Sequence, residues 1–429
     1  MAAHNTGIEW THIPGFKGET WNPVVGCSVI SPGCTNCYAM RLAGARLDGN
    51  PNTPHYAGTT QPSKAGPVWS GKLAHAPEQT ITAPLRWRKP RAVFVNSMGD
   101  LFHEDAQDWW IDLVFAVMAL CPQHVFIILT KRSARMREYL EARTAQVMGP
   151  DVKVMLASPL ADAMQRVSLW RGDAVPMNAP LMLRYPDTSG DGRSRWPLPN
   201  VWLGVSVEDQ TRADERIPDL LNTPAAVRLV SCEPLLGPLW LPSWLPAVHD
   251  PYLEVQGAPM ACLGCDDGEG FAPPRCASAT DPRLACPENR AVIIDHEGPE
   301  DPETGGPRWV HTERVTLDWV IAGGESGKGA RPVHPDWIRS LRDQCAAAGT
   351  PFFFKQWGEY FPGHFESGEY HPDIDMDPFV LDHARGQKVS GFSFDDGQEA
   401  GRIGKRAAGR TLDGQTHDAF PAGIGEGAR

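Results

Sequence analysis

Trp21-Asn22-Pro23-Val24-Val25-Gly26-Cys27-Ser28-Val29-Ile30-Ser31-Pro32-Gly33-Cys34-Thr35-Asn36-Cys37-Tyr38 holds three cysteines in the spacing C-x6-C-x2-C. The stretch opens as a short apolar run, turns at Ser31-Pro32-Gly33 and enters a helix-like segment, Tyr38 to Leu47. Three thiolates on one loop, Cys27, Cys34 and Cys37, can ligate three irons of a [4Fe–4S] cube and leave the fourth open to a ligand. Two plainer readings of the same residues remain. One is a structural zinc site completed by a ligand from elsewhere, since structural zinc takes four protein ligands. The other is three buried thiols with no metal.

Working outward from this loop, seven short apolar runs recur: Trp21–Gly26, Ala92–Ser97, Val125–Thr130, Val201–Ser206, Val227–Ser231, Trp319–Gly323 and Phe352–Lys355. Continuous apolar runs of this length suit strands buried on both faces of a parallel sheet. Helical periodicity lies between most of them, as in Trp109, Leu113, Val117 and Leu120, or Trp337, Ile338 and Leu341. Alternating strand and helix predicts an α/β fold. Each run is followed by a polar cluster. The cysteine loop follows the first, Asn96-Ser97 and Asp100 the second, and Lys131-Arg132 the third. Ser206 and Glu208 follow the fourth, Glu233 the fifth, Gly323-Gly324-Glu325 the sixth and Lys355 the seventh. An open doubly wound sheet uses one or two strand ends at its switch point, whereas a TIM-type barrel gathers all its C-terminal strand ends into one site. The expectation is therefore a complete or partial (β/α) TIM-type barrel over residues 21–360, with the cluster loop at 26–38. Residues 1–20 read as an N-terminal arm and 361–429 as a C-terminal extension. Residues 242–316 read as a small cysteine-rich insertion. That insertion carries Cys262, Cys265, Cys276 and Cys286, whose C-x2-C opening suits a zinc module; a second iron–sulfur cluster and a metal-free segment are the other readings.

The chain has 429 residues, enough for one large barrel or a few smaller domains; seven of its ten cysteines sit in two clusters and Cys121, Cys232 and Cys345 lie singly, which is not the spread of a disulfide framework. No run of about 18 apolar residues is present, so no membrane span is expected. The first residues lack the basic and apolar blocks of a signal peptide, which suggests a cytoplasmic protein. A net charge of −12 argues against a general nucleic-acid coat, which needs a basic face. Local basic patches remain at Arg86-Trp87-Arg88-Lys89-Pro90-Arg91, at Lys131-Arg132 with Arg135 and Arg137, and at Arg402, Lys405, Arg406 and Arg410. They are a modest hint of a nucleic acid or nucleotide partner, against the plainer reading of a solvated face.

Several motifs together resemble a family of uncharacterised proteins found in phages and prophage-bearing bacteria. They are Ile8-Glu9-Trp10-Thr11, the Trp-Asn-Pro-x-x-Gly-Cys loop, Phe94-Val95-Asn96-Ser97-Met98, Leu129-Thr130-Lys131-Arg132 and Gly204-Val205-Ser206-Val207-Glu208. To these are added Glu233-Pro234-Leu235-Leu236-Gly237-Pro238, Gly323-Gly324-Glu325-Ser326-Gly327 and Gly404-Lys405-Arg406-Ala407-Ala408-Gly409-Arg410. That three-cysteine family is in turn similar to the radical S-adenosylmethionine (SAM) enzymes. The commonest spacing there is C-x3-C-x2-C with an aromatic before the last cysteine. Here the first gap is longer and Asn36 precedes Cys37, while Tyr38 follows it and can stand in for the aromatic against adenine.

The resemblance implies a radical-SAM-like barrel in which SAM chelates the open iron and is cleaved to a 5′-deoxyadenosyl radical that abstracts hydrogen from substrate. An electron donor is then required. Position nominates the cofactor contacts. Asn96, Ser97 and Asp100 would meet the amino group and ribose. Lys131 and Arg132 would meet the SAM carboxylate or a substrate phosphate, Arg offering a bidentate fork. Ser206 and Glu208 would meet ribose hydroxyls, and Gly323, Gly324 and Glu325 would allow close approach of a ligand beside an acid. Glu233 and Lys355, with Lys131, would meet substrate, or Glu233 and Lys355 would pair as a structural salt bridge. For Asp100 and Glu208 the plainer alternative is a helix cap. Two rival functions remain: a non-catalytic iron–sulfur or zinc protein that binds nucleic acid, and a metal-dependent hydrolase, for which no His-x-His is present.

Overall fold

The computed structural model describes residues 6–148, 158–171, 196–246, 315–373 and 389–422, with the short strand pair His296–Glu297 and Trp309–Val310. The four cysteines Cys262, Cys265, Cys276 and Cys286 lie outside the described residues. At the centre is a seven-stranded sheet in sequence order: β1 (Lys17–Trp21), β2 (Arg91–Val95), β3 (Val125–Thr130), β4 (Val201–Ser206), β5 (Val227–Cys232), β6 (Trp319–Gly323) and β7 (Phe352–Gln356). Every neighbouring pair is parallel. The sheet is curled into a half-barrel, an α/β architecture compatible with a partial (β/α) barrel. Among the described residues no helix is long and apolar enough to cross a membrane.

Alternate residues of each strand go to two separate cores, as the two-residue period of a strand requires. Phe126 and Ile128 of β3, and Val320 and Ala322 of β6, pack on the helix side. That layer takes in α2 (Asp108–Ala119), α3 (Ser133–Met148), α4 (Pro159–Arg171), α5 (Gln210–Asn222) and α6 (Pro335–Ala348). The other face carries Ala92, Val125, Ile127, Trp202, Leu229, Trp319, Ile321 and Phe353. Burial on both faces is why the central strands read as unbroken apolar runs.

The first strand departs from the sequence expectation. It runs Lys17–Trp21 rather than Trp21–Gly26. As an edge strand it carries Lys17, Glu19 and Thr20 and lacks an apolar signature. The apolar pair Val24–Val25 instead forms a short antiparallel ladder with Ala74–His75, already inside the loop that follows.

Two segments from outside the sheet fill the opening between β1 and β7. The turn Glu9–Thr11 packs against β1, β2 and β7. Its Trp10, 2% exposed, sets its ring against Phe94 at 4.8 Å and Trp319 at 6.5 Å. From the other end, residues 409–420 run antiparallel beside β7. Phe354 N donates to His417 O at 2.8 Å, and Trp319 Nε1 to Ala419 O at 2.9 Å. Phe420 closes on Trp319 and Phe353, with centroids 5.5 and 5.6 Å apart. Between β7 and this segment lies a four-stranded antiparallel sheet, β8 (Tyr360–Glu366), β9 (Glu369–Pro372), β10 (Gly391–Ser393) and β11 (Glu399–Arg402), in the order β9-β8-β11-β10. The extension expected to be loop-like is thus partly sheet and partly a cover for the last strand's edge.

Candidate functional site

At the C-terminal edge of the sheet a cavity of ≈ 250 Å³ is lined from all seven strand ends. The loop after β1 supplies Cys27, Cys34 and Cys37, and α1 (Tyr38–Leu42) begins directly after the last of them. Gly26 turns the chain into this loop at φ +92, a conformation glycine adopts without penalty. A Cβ there would sit 2.1 Å from the Lys72 carbonyl oxygen.

Four side chains from other strand ends hold the loop. Glu208, fully buried after β4, accepts from Gly33 N at 3.4 Å and pairs with Arg216 of α5 at 3.0 Å. Burial alone would raise its carboxyl; Lys131, Ser31, Arg216 and Gly33 N reverse this and hold it below the usual carboxylate value. Asn36 donates to Glu325 Oε2 at 2.8 Å, and Glu325 in turn binds Arg331, whose Nη1 donates to Pro32 O at 3.0 Å. Arg132, after β3, donates from Nη1 to Cys27 Sγ at 3.3 Å and from Nη2 to Ser28 Oγ at 2.7 Å. Asp100 braces Arg132 at 3.2 Å and itself accepts from Thr130 Oγ1, Lys131 N and Phe102 N.

The thiols are neighbours without forming a single-ion cage. Burial, with Asp100 beside it, pushes the Cys27 thiol up to about 12, Cys37 and Cys34 adding to the rise; burial also raises Cys37. Groups in this state become thiolates when a metal displaces their protons. Zinc at about 2.3 Å from each sulfur would draw three sulfurs to roughly 3.8 Å of one another. Among the described residues the one trio of potential ligands within 4.8 Å is His334, Asp336 and Asp396, so these three sulfurs are spread more widely. Three thiols from one loop are the soft donor type that iron–sulfur clusters take.

A family model described as a protein of unknown function (DUF5131) matches residues 5–421. The chain belongs to that family. No curated protein and no solved structure matches it.

In this DUF5131 chain Tyr38, Asn96, Ser97, Asp100, Lys131, Arg132, Ser206, Glu233, Gly324, Glu325 and Lys355 all border the cavity, whereas Glu208 and Gly323 do not. Tyr38 is 53% exposed as a whole residue, yet its hydroxyl is hooked to Ser97 O at 2.9 Å, where burial raises the phenol above its usual value. Asn96 sits at φ +56, a left-handed conformation that Asn tolerates. Its Oδ1 accepts from Val24 N at 3.3 Å, while its buried Nδ2 has no partner among the described residues. Lys131 Nζ forms no ion pair among the described residues. Lys355 and Glu233 pair with each other at 3.1 Å, and burial raises the Glu233 carboxyl against the opposing pull of Lys355.

The close approach at the glycine pair is made by the chain itself: a Cβ on Gly324 would meet Trp357 O at 1.9 Å, and one on Gly323 would meet Glu233 Oε1 at 2.7 Å. Most of the basic residues noted in the sequence are committed locally. Arg91 pairs with Glu19, Arg135 with Asp108, Arg137 with Asp219, Lys405 with Glu9 and Arg410 with Asp418. The sequence singled out neither Asn22 nor Arg331. Asn22 Oδ1 accepts from Ser97 Oγ and Met98 N, tying the Trp-Asn-Pro motif to the end of β2. Nothing in the local sequence marks Asn22 or Arg331, and only the folded contacts distinguish them.

Proposed function

We propose that this protein is an iron–sulfur enzyme of the radical SAM type. The observation that carries the reading is the placement of Cys27, Cys34 and Cys37 at the rim of a cavity ringed by seven parallel strand ends. The donor set fits a cluster: three soft thiols of one loop, with the loop braced by Arg132, Glu208 and Glu325. A cluster bound there with SAM would supply one electron to a sulfonium and so start hydrogen abstraction from carbon.

The chain's own residues bind and orient. Tyr38, bordering the cavity, offers a stacking face, and Asn96 Nδ2 offers a buried donor to an acceptor on the ligand. Lys131 keeps a positive charge in the cavity for a carboxylate or phosphate. Glu233 and Lys355, paired across the ends of β5 and β7, border the same cavity and offer an ion pair to a substrate there. Ile8, Trp10 and Phe94 give the cavity an apolar floor that limits water.

Anaerobic reconstitution with iron and sulfide tests the reading. About four irons and four sulfides per chain are expected, with loss of loading in Cys27→Ser, Cys34→Ser and Cys37→Ser but not in Cys121→Ser. Reduction in the presence of SAM should then release 5′-deoxyadenosine. A fully loaded protein that releases none would refute the enzyme, and uptake of zinc alone would refute the cluster.

A further inference from the structure

Arg132 is the cation that touches Cys27, and both of its Nη nitrogens are engaged. Nη1 reaches Cys27 Sγ at 3.3 Å and Asp100 Oδ2 at 3.2 Å. Nη2 reaches Ser28 O at 3.2 Å and Ser28 Oγ at 2.7 Å, and Nε faces Glu104 Oε1 at 3.4 Å. The side chain is 4% exposed. An arginine keeps its charge under all conditions in which a protein folds. Burial opposes that charge here, and Asp100 and Cys27 more than offset it. Asp100, held by Thr130 Oγ1, Lys131 N and Phe102 N, also lies beside Cys27, so the guanidinium is the positive, hydrogen-bonding member of an ion pair set against that sulfur and opposes the carboxylate there. Among the described residues no guanidinium donates to either of the other two thiols, although the charge of Lys131 acts on Cys37. Cys34 Sγ meets the Ser31 hydroxyl at 3.7 Å, and Cys37 lies by the backbone amides of Ala39 and Met40.

We propose that Arg132 is a positioning residue that raises the reduction potential of the cluster by holding a fixed positive charge and a hydrogen bond on the sulfur of Cys27. The inference rests on the iron–sulfur reading above. One-electron reduction adds a negative charge to a cluster and its sulfurs. A cation and an N–H donor at a ligating sulfur stabilise the reduced form more than the oxidised one. Both Nη nitrogens of Arg132, the prongs of its fork, are held within the chain. Lys131, the next residue back, is left for a ligand carboxylate.

The test is a potentiometric titration with dithionite of the reconstituted full chain, followed by the electron paramagnetic resonance signal of the reduced cluster. In Arg132→Gln the ratio of reduced to oxidised cluster at a given poise should fall about tenfold, which is about 59 mV for a one-electron couple. Arg132→Lys keeps the charge and loses the fork, so its shift should be smaller and of the same sign. Ser28→Ala removes one bracket of the guanidinium and should shift the potential in the same direction with every ligand in place. An unchanged midpoint in Arg132→Gln at full iron and sulfide content would overturn the proposal and leave the cluster standing. Should Arg132→Gln fail to load, unchanged midpoints in both Arg132→Lys and Ser28→Ala would overturn it equally. A wild-type chain that takes up no iron and sulfide would overturn both readings together.

Discussion

Asn36 donates from Nδ2 to Glu325 Oε2 at 2.8 Å, joining the residue before Cys37 to the end of the sixth strand. The same carboxylate binds Arg331, which reaches Pro32 O on the other flank of Cys34. One acid thus fixes the segment that carries two of the three thiols. Glu325→Gln keeps the shape and removes the charge that holds Arg331. Loss of a partner behind the ligands usually costs about 10–100-fold in metal affinity. The reconstituted variant should bleach faster than wild type in the presence of a chelator, by a factor in that range. Equal bleaching rates would remove Glu325 from the support of the loop.

Glu208 supports the other flank through Gly33 and carries the charge that Arg216 requires. Removing one partner of a buried pair costs roughly 3 kcal/mol or more, because the other charge is left uncompensated. Glu208→Gln should therefore lower the melting temperature of the metal-free protein at pH 7. The pH dependence follows from the lowered carboxyl. A depressed folded-state value means that the stabilisation is full above the unfolded value, 4.5, and is lost as pH falls through the lower folded value. The gap between wild type and Glu208→Gln should shrink below pH 4.5. A gap independent of pH down to the acid limit of folding would show that the ionised carboxylate is not what holds the loop.

The central strands were legible because burial on both faces leaves an unbroken apolar run. The run Val125–Thr130 and the run Trp319–Gly323 end where β3 and β6 end. The polar residues after each run share one edge because parallel strands must all end on the same side. β1 was misplaced by four residues because an edge strand needs no such run, and Lys17-Gly18-Glu19-Thr20 looks like a loop. The braces on the cysteine loop were not legible. Glu208 with Gly33 and Asn36 with Glu325 join residues far apart in the chain, and nothing local marks them as partners. The plugs Trp10 and Phe420 were missed for the same reason: each is a lone aromatic in a polar segment, and only the curl of the sheet brings both to Trp319.

Asn96 separates binding from folding. Its Oδ1 holds Val24 N, whereas its Nδ2 is buried with no partner among the described residues. Asn96→Asp retains the first role and the left-handed backbone, and removes the donor. A lost hydrogen bond to a ligand is worth about 1–1.5 kcal/mol, close to a tenfold change. SAM binding to the reconstituted protein, measured by calorimetry, should weaken by about that factor or more, since the new carboxylate also repels a ligand acceptor. The melting temperature should change little. Unaltered SAM affinity would place the ligand elsewhere in the cavity.

Closure of the half-barrel rests on Trp319, which takes Trp10 on one side and Phe420 on another. Trp10→Ala removes a fully enclosed indole and should cost about 3–5 kcal/mol. Phe420 is half-buried, so Phe420→Ala should cost less, about 2 kcal/mol. Because both rings lean on one neighbour, their effects should not add. Residues that share a packing partner typically couple by about 0.5–3 kcal/mol. Urea unfolding of the two single variants and the double variant gives this coupling directly. A coupling indistinguishable from zero would mean that the N-terminal turn and the C-terminal segment seal the barrel independently, and that truncating either end leaves the other's seal intact.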